Sequence, residues 1–320
     1  MNDVTLQINL SPLDYPRVIH LLPHQLKQLA GQCNEILIVL DLKKSTGKKS
    51  SGSNWETNKE PIIAYLNELK DNFYPNLRIE EVDYSHKIRK EMSKTIMKRG
   101  SIPDKDFSGG PFYSYYFGIF ISKYNNVLHI DADMMFGGGS QNWVAEALNV
   151  LESDSSIFSC SPLTGPPPLD ENIMPANYRN KFNPIAKYKY PFSYLYYHFS
   201  TRVFLLKKER LYKNVSVQRP NFDHYIKAIL RGASPYRYPE GTISDMIKEK
   251  RWYRLDFYGS APGLWSLHPC TNPEMRLLVS SFIHLIEHDV FPESQRCYHD
   301  ANTDFLEMAR NVDKSLRPSN

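Results

Sequence analysis

Residues 126–134 read Asn-Val-Leu-His-Ile-Asp-Ala-Asp-Met, an apolar run that ends in two aspartates separated by one alanine. The run predicts a short buried β-strand over Asn126–Ile130, which places Asp131 and Asp133 at the carboxyl end of that strand. Open α/β sheets form their ligand crevices at this edge. The sequence therefore predicts a ligand site in the middle of the chain.

The first half of the chain alternates short apolar runs with longer amphipathic ones. This alternation is typical of βα units that build a mostly parallel sheet flanked by helices, so the predicted fold class is α/β. The predicted strands are Val4–Leu10, Glu35–Leu42 and Leu77–Val82, and the predicted helices are Pro16–Leu29, Pro61–Phe73, His86–Arg99 and Phe112–Ser122. The polar stretch Lys43–Asn58 has almost nothing to bury and predicts a mobile loop. Ser140 is predicted to cap a helix that carries Trp143.

From Ser161 onward the composition shifts to proline, asparagine and tyrosine, and regular structure is expected to be thin. The predicted elements there are a strand at Thr201–Leu206, helices at Phe222–Leu230 and Thr242–Lys250, an extended segment at Trp252–Tyr258 and a closing helix at Glu274–His288. This predicts a nucleotide-binding α/β half over residues 1–160 and, over residues 161–320, an irregular half of the same domain that shapes a second pocket.

Composition excludes several classes of protein. With 320 residues, 41% hydrophobic and 23% charged, the chain can bury a core and is neither disordered nor fibrous. A net charge of +4 is too balanced for nucleic-acid binding by bulk electrostatics. The four cysteines form no C-x-x-C pair, and no apolar run approaches the ~20 residues that cross a bilayer. The expectation is a cytoplasmic protein whose membrane contact, if any, is peripheral.

The two aspartates point to a hard divalent cation. Carboxylate oxygens suit Mg²⁺ or Mn²⁺, and neither ion needs a complete protein cage when phosphates and waters fill the remaining positions. A diphosphate is the natural partner for such a site. The alternative is an ordinary turn at a strand end with two solvated aspartates.

The segment Leu128–Met134 lies between the glycine pair Gly109-Gly110 and the glycine-rich turn Gly137–Gly139. In this setting it resembles the D-x-D motif of nucleotide-sugar glycosyltransferases of the GT-A fold, most closely the inverting family 2. The resemblance implies a GT-A, Rossmann-like sheet and a metal-dependent transfer of a sugar from a nucleotide diphosphate donor, with UDP-sugars favoured, to an acceptor hydroxyl in glycan or polysaccharide synthesis. It also implies that Asp133 is the principal metal ligand and Asp131 its partner.

The same resemblance assigns roles to four more positions. Asp41, at the end of the second strand, would hold the nucleotide base, and Gly109, Gly110 and Ser114 would pack on the donor. Each has a structural alternative, a solvated strand end for Asp41 and a plain turn before a helix for the glycine pair.

Many GT-A enzymes take a third metal ligand from a loop near the C-terminus, and Gly263–Pro269 resembles that loop. His268 is therefore the third candidate ligand, and an imidazole favours Mn²⁺ over Mg²⁺.

Inverting transfer also needs a carboxylate that deprotonates the acceptor hydroxyl. The stretch Tyr238–Asp245 resembles the acidic motif that supplies this base, although Gly241 stands where the family usually has Asp. Glu240 is the first candidate and Asp245 the second. The alternative is that both acids stabilise a helix N-terminus through its dipole. Inversion is favoured, with retention left open.

Aromatic residues suggest an acceptor site. Rings of the tyrosine-rich stretch Tyr178–Tyr197, in particular Tyr194 and Tyr197, and the indole of Trp265 could stack on sugars. Tyrosines at alternate spacing also fit half-buried strand positions.

Three other functions compete with this interpretation. Phosphatases of the haloacid dehalogenase type also use D-x-D after a strand, but their motif normally opens the chain. Sugar nucleotidyltransferases carry a glycine- and arginine-rich loop after the first strand, which Asn9–Leu13 lacks. A non-catalytic carbohydrate-binding protein on a degenerate transferase fold is the third alternative.

Overall fold

A computed structural model describes residues 3–44, 54–97, 102–170, 183–216, 218–219, 221–230, 234–269 and 272–316. The strands are β1 Val4–Leu10, β2 Glu35–Leu40, β3 Leu77–Glu81, β4 Asn126–Asp131, β5 Met135–Gly137, β6 Ile157–Thr164, β7 Ala186–Lys187, β8 Ser193–Tyr196, β9 Val203–Lys207, β10 Tyr253–Phe257 and β11 Trp265–Leu267. The helices are α1 Tyr15–Leu29, α2 Trp55–Asn72, α3 His86–Met92, α4 Tyr113–Ile121, α5 Trp143–Ser153, α6 Lys208–Asn214, α7 Phe222–Leu230, α8 Pro239–Lys250, α9 Pro273–Leu277, α10 Val279–Glu287 and α11 Thr303–Leu316. None of the helices in these ranges is long and apolar enough to cross a membrane.

The strands form one mixed sheet in the order β3-β2-β1-β4-β9-β6-β10-β8-β7, with β11 joining β5 and β6 at its margin. Strands β1 to β4 pair in parallel, β10 is parallel to β6, and β9 runs antiparallel between β4 and β6. The predicted fold class, α/β with a mostly parallel sheet flanked by helices, is confirmed. Because β6 spans residue 160 and β9 lies beside β4, both halves of the chain contribute to the same sheet.

The burial of the strands agrees with a sheet that is covered by helices on both faces. The central strands β1 and β2 are almost entirely buried, as expected for strands covered by helices on both faces. One face packs mainly against α1, α2 and α5, and the other packs against α3 and α4. A third cluster joins α10 and α11 to β11.

The first departure from the predicted elements lies at the start of α2. This helix begins at Trp55 and not at Pro61, because the Trp55 side chain is buried and anchors six additional residues. The predicted mobile loop over Lys43–Asn58 is therefore wrong for residues 55–58, and residues 45–53 lie outside the described part.

The closing helix and the N-cap of α5 also differ from the prediction. The predicted closing helix Glu274–His288 is two helices that meet at Leu278, and α11 follows them. Ser140 does not cap α5, whose N-cap residue is Asn142; the Ser140 hydroxyl donates to the Asn142 side chain.

Gly137 in β5 faces the fully buried Trp265 of the paired strand β11. A Cβ at Gly137 would lie 2.1 Å from the indole ring, which has no room to retreat. Gly137→Ala is expected to lower the free energy of unfolding in urea by about 1–3 kcal/mol, the usual cost of overpacking. Gly31→Ala is the matched control, since no heavy atom lies within 4 Å of the position that a Cβ would take there. Equal stability of the two variants would contradict this packing.

Candidate functional site

Polar side chains gather at the edge of the sheet where β1, β2, β4, β6 and β10 end and β9 begins. Asp131 is the last residue of β4 and Asp133 follows it, and the Asp131 N–H donates to the carbonyl of Arg202, which precedes β9, at 2.7 Å. His268 directly follows β11, and the main chain ties it to the C-terminal segment at His299 and Ala301. This edge is the crevice that open α/β sheets use for ligands.

The structure brings Asp133 and His268 into contact. Nε2 of His268 lies 3.2 Å from Oδ2 of Asp133, and Nδ1 of His268 lies 3.0 Å from Oδ1 of Asp300. The imidazole is 8% exposed and the Asp133 side chain 26% exposed, so the contact faces the crevice from a largely buried position. One imidazole is thus held between two carboxylates.

These contacts shift the pKa values of Asp133 and His268. Burial alone would raise the pKa of Asp133, but His268, Arg17 and Arg202 lower it to about 2, so the carboxylate is ionised. Burial lowers the pKa of His268, yet its hydrogen bonds to Asp133 and Asp300 outweigh burial and raise that pKa. A neutral imidazole has only one N–H. One of its two carboxylate contacts therefore needs a further positive charge, either a proton or a cation.

The Asp133–His268 pair fits a divalent cation as well as a proton. Two ligands at about 2.1 Å from an ion and at right angles to each other lie about 3 Å apart. Metal-bound histidines usually donate the other ring N–H to a carboxylate, the arrangement that Asp300 provides here. Among the described residues no group of three His, Cys, Asp or Glu forms a ready metal cage. The protein would thus supply two ligands, Asp133 and His268, and leave the others to substrate or water.

Asp131 is the more exposed aspartate of the motif, with 40% of its side chain accessible. His129 lies behind it, fully buried, with Nε2 3.3 Å from Asp131 Oδ1 and Nδ1 3.0 Å from Gln7 Oε1. The His129 ring stacks on Phe204 at 4.9 Å. A buried polar column therefore orients Asp131 towards the crevice.

Glu240 lies at the start of α8, beside the same edge. Its carboxylate accepts from the Thr201 N–H at 3.4 Å and lies 3.4 Å from Nε2 of His198. Burial raises the pKa of Glu240, although Thr201, Arg254 and Arg202 oppose the shift. Burial, with smaller contributions from Tyr116, Asp131 and Glu240, raises the pKa of the Tyr115 phenol.

Asp245, the second candidate base, is engaged elsewhere. It forms a bidentate ion pair with Arg237, the residue before the turn into α8. The Arg237 guanidinium contacts both oxygens of the Asp245 carboxylate, so neither oxygen is left for an acceptor hydroxyl. The geometry favours Glu240 over Asp245.

Asp41 and the glycine pair lie further along the edge. Asp41 is buried, accepts from the Tyr84 hydroxyl at 3.0 Å and lies 3.5 Å from Nζ of Lys105. Gly110 donates its N–H to Asp106, and Gly109 has φ of 81°, a conformation that favours glycine. Ser114 is buried in the first turn of α4. Lys105 connects the segment that carries the glycine pair to Asp41 at the end of β2.

Of the three aromatic candidates for acceptor binding, two are buried in the core and one is partly exposed. Tyr194 and Trp265 belong to the core and expose no ring surface in this conformation. Tyr197 is partly exposed and lies 5.2 Å from the ring of Tyr253. Tyr178 lies outside the described residues.

Four residues of the site went unnoticed in the sequence: Arg202, His198, His299 and Asp300. Arg202 donates to both His299 and Asp300 and thereby links the start of β9 to the C-terminal segment. His198 and Arg202 lie about a hundred residues before His299 and Asp300, and no spacing rule joins residues across such a distance. The one sequence signal for part of this set is the dipeptide His299-Asp300, in which a metal-ligating residue type adjoins a carboxylate.

Two buried histidines predict acid sensitivity. A ring nitrogen of His24 accepts from the Phe136 N–H, and one of His299 accepts from Arg202, so a proton cannot be added without loss of these bonds. Burial lowers the pKa of both groups, to about 3 for His299. As the pH falls from 6.5 towards 3, the unfolded chain binds a proton at His299 before the folded chain does, and stability decreases by about 1.4 kcal/mol per pH unit, while His24 acts in the same direction.

The free energy of unfolding is therefore expected to be lower at pH 5 than at pH 7 by about 2 kcal/mol or more. Urea titrations at the two pH values measure it. His24→Gln should weaken the dependence on pH, and an unchanged slope in that variant would show that His24 is not the group responsible.

No protein-family model and no curated protein sequence matches this chain. Among solved structures, S. aureus TarS residues 1–349 in complex with UDP-GlcNAc is similar over 100% of this chain and 74% of that chain, with 10% identity and a TM-score of 0.40. UDP-glucose pyrophosphorylase complexed with UDP-glucose is similar over 89% of this chain and 99% of that chain, with 10% identity and a TM-score of 0.46. Such similarity is too weak to transfer an activity. The function of this protein is therefore inferred from its own side chains.

Proposed function

We propose that this protein is a metal-dependent glycosyltransferase of GT-A type, which transfers a sugar from a nucleotide diphosphate donor to an acceptor hydroxyl with inversion. The observation that supports this most directly is the Asp133–His268 contact at 3.2 Å, because His268 also contacts Asp300 and can satisfy both carboxylates only with an added proton or a cation. The D-x-D motif on β4 and a carboxylate with a raised pKa at the same edge complete the set of groups that this reaction needs.

Asp133 and His268 would hold the cation, with the exposed carboxylate of Asp131 directed to the same crevice. Mn²⁺ suits this mixed oxygen and nitrogen set better than Mg²⁺. When bound, the ion would neutralise the negative charge that develops on the leaving diphosphate. Arg202 keeps His268 in place indirectly, through its bond to Asp300.

Glu240 would act as the general base. A carboxylate is an effective base when its pKa is shifted towards the working pH, and burial shifts that of Glu240 upwards. The Thr201 hydroxyl and N–H fix the position of Oε2. Oε1, next to His198, remains the oxygen that could receive the acceptor proton.

The enzyme is expected to hydrolyse its donor slowly when no acceptor is present. Purified protein would be incubated with Mn²⁺ and a panel of UDP- and GDP-sugars, and nucleotide diphosphate release measured over hours. Release from one donor that requires the metal supports the proposal. No release from any donor, together with binding of free glycans, would favour the carbohydrate-binding alternative.

A further inference from the structure

Helix α7, Phe222–Leu230, turns its apolar side away from the protein. Its four large apolar side chains are exposed, 76% for Phe222, 38% for Ile226, 50% for Ile229 and 80% for Leu230. At 100° per residue these positions fall within one stripe on the helix surface. Ala228, the only fully buried residue of this helix, lies on the opposite side. A surface helix normally directs such a stripe to the core, so this face is built for an external partner.

The charges around α7 indicate the chemistry of that partner. Residues 207–231 contain seven Lys or Arg and two Asp or Glu, a net charge of +5 against +4 for the whole chain. Lys227 on α7 and Arg219 just before it are both exposed, and Arg219 lies over the Tyr225 ring at 5.4 Å. An exposed apolar stripe with basic flanks is the pattern of helices that lie in the interface of anionic membranes.

A second copy of the chain fits this surface less well. In a symmetric dimer the same patch faces itself, so the basic flanks would repel each other.

We propose that α7 docks this protein onto an anionic phospholipid surface. Phe222 and Leu230 insert between the lipids, while Arg219 and Lys227 contact the headgroups. The Phe107 ring stacks on His224 of α7 at 4.9 Å, and the Phe107 N–H donates to Tyr236, which leads into α8 and Glu240. Docking would therefore bring the lipid surface to the side of the protein where α8 and Glu240 begin. The proposal does not depend on the transferase reaction.

Vesicle co-sedimentation tests the proposal with the full chain. Vesicles of phosphatidylcholine alone are compared with vesicles that contain about 30% phosphatidylserine, at low and high salt. The wild type is expected to bind the anionic vesicles at least tenfold more strongly, and less at high salt. The double variant Phe222→Ser/Leu230→Ser should lose this binding. Arg219→Glu/Lys227→Glu should lose it too, with its apolar stripe intact.

Leu277→Ser is the matched control, because Leu277 is 82% exposed on another helix. All these side chains lie at the surface, so melting temperatures should remain unchanged. The proposal is overturned if the wild type does not bind anionic vesicles, if Leu277→Ser loses binding equally, or if the wild type is a dimer that Phe222→Ser/Leu230→Ser dissociates. Donor hydrolysis by the α7 variants should equal that of the wild type, which separates this test from that of the transferase.

Discussion

Asp133→Asn is expected to abolish the metal-dependent binding of a nucleotide diphosphate. The substitution keeps the size of the side chain but removes the ionised carboxylate that faces His268. Loss of an anionic ligand should reduce the affinity for UDP in the presence of Mn²⁺ by about 100-fold or more, since even groups behind the ligands contribute 10–100-fold. Isothermal titration calorimetry with UDP, with and without Mn²⁺, measures this effect.

Asp3→Asn is the control, because Asp3 is exposed and precedes β1 at the opposite edge of the sheet. It should bind as the wild type does. If Asp133→Asn binds UDP and Mn²⁺ with unchanged affinity, the metal site is elsewhere and the proposed function loses its main support.

Glu240→Gln is expected to leave donor binding intact and to lower kcat for sugar transfer by about 10²–10⁴-fold, the usual contribution of a general base. The amide cannot accept the proton of the acceptor hydroxyl, whereas its shape preserves the contacts with Thr201. Steady-state kinetics with the identified donor and acceptor would show the loss in kcat with little change in the donor KM.

Turnover of the wild type should also fall in acid, because a base is inactive once protonated. The pKa of Glu240 is raised, so this loss should begin at a higher pH than for an ordinary glutamate. Glu249→Gln, an exposed position on the same helix, is the matched control. Full turnover by Glu240→Gln would exclude Glu240 as the base.

Local sequence patterns correctly predicted the buried parallel strands and the position of the D-x-D motif. The apolar runs of β1, β2 and β4 are long enough to specify buried parallel strands, and both aspartates of the motif lie at the end of β4 as expected. The contact between Asp133 and His268 shows that two distant predictions converge on one place. Their roles in binding a metal stay predictions.

The features that the sequence analysis missed depend on contacts between residues that lie far apart in the chain. Trp55 extends α2 because a buried indole outweighs the polar residues around it. Arg202 and Asp300 reach the site only because β9 returns antiparallel beside β4 and the C-terminal segment bridges to His268. Tyr194 looked like a sugar-stacking residue but fills the core, since side chains that alternate along a strand take opposite faces.

Diffraction at the manganese absorption edge tests the central claim most directly. Crystals would be soaked with Mn²⁺ and UDP, and the anomalous difference map calculated at the D-x-D edge. We predict one strong peak within about 2.3 Å of Asp133 and His268, in contact with the diphosphate of UDP. A map with UDP bound and no peak beside these two side chains would contradict the account.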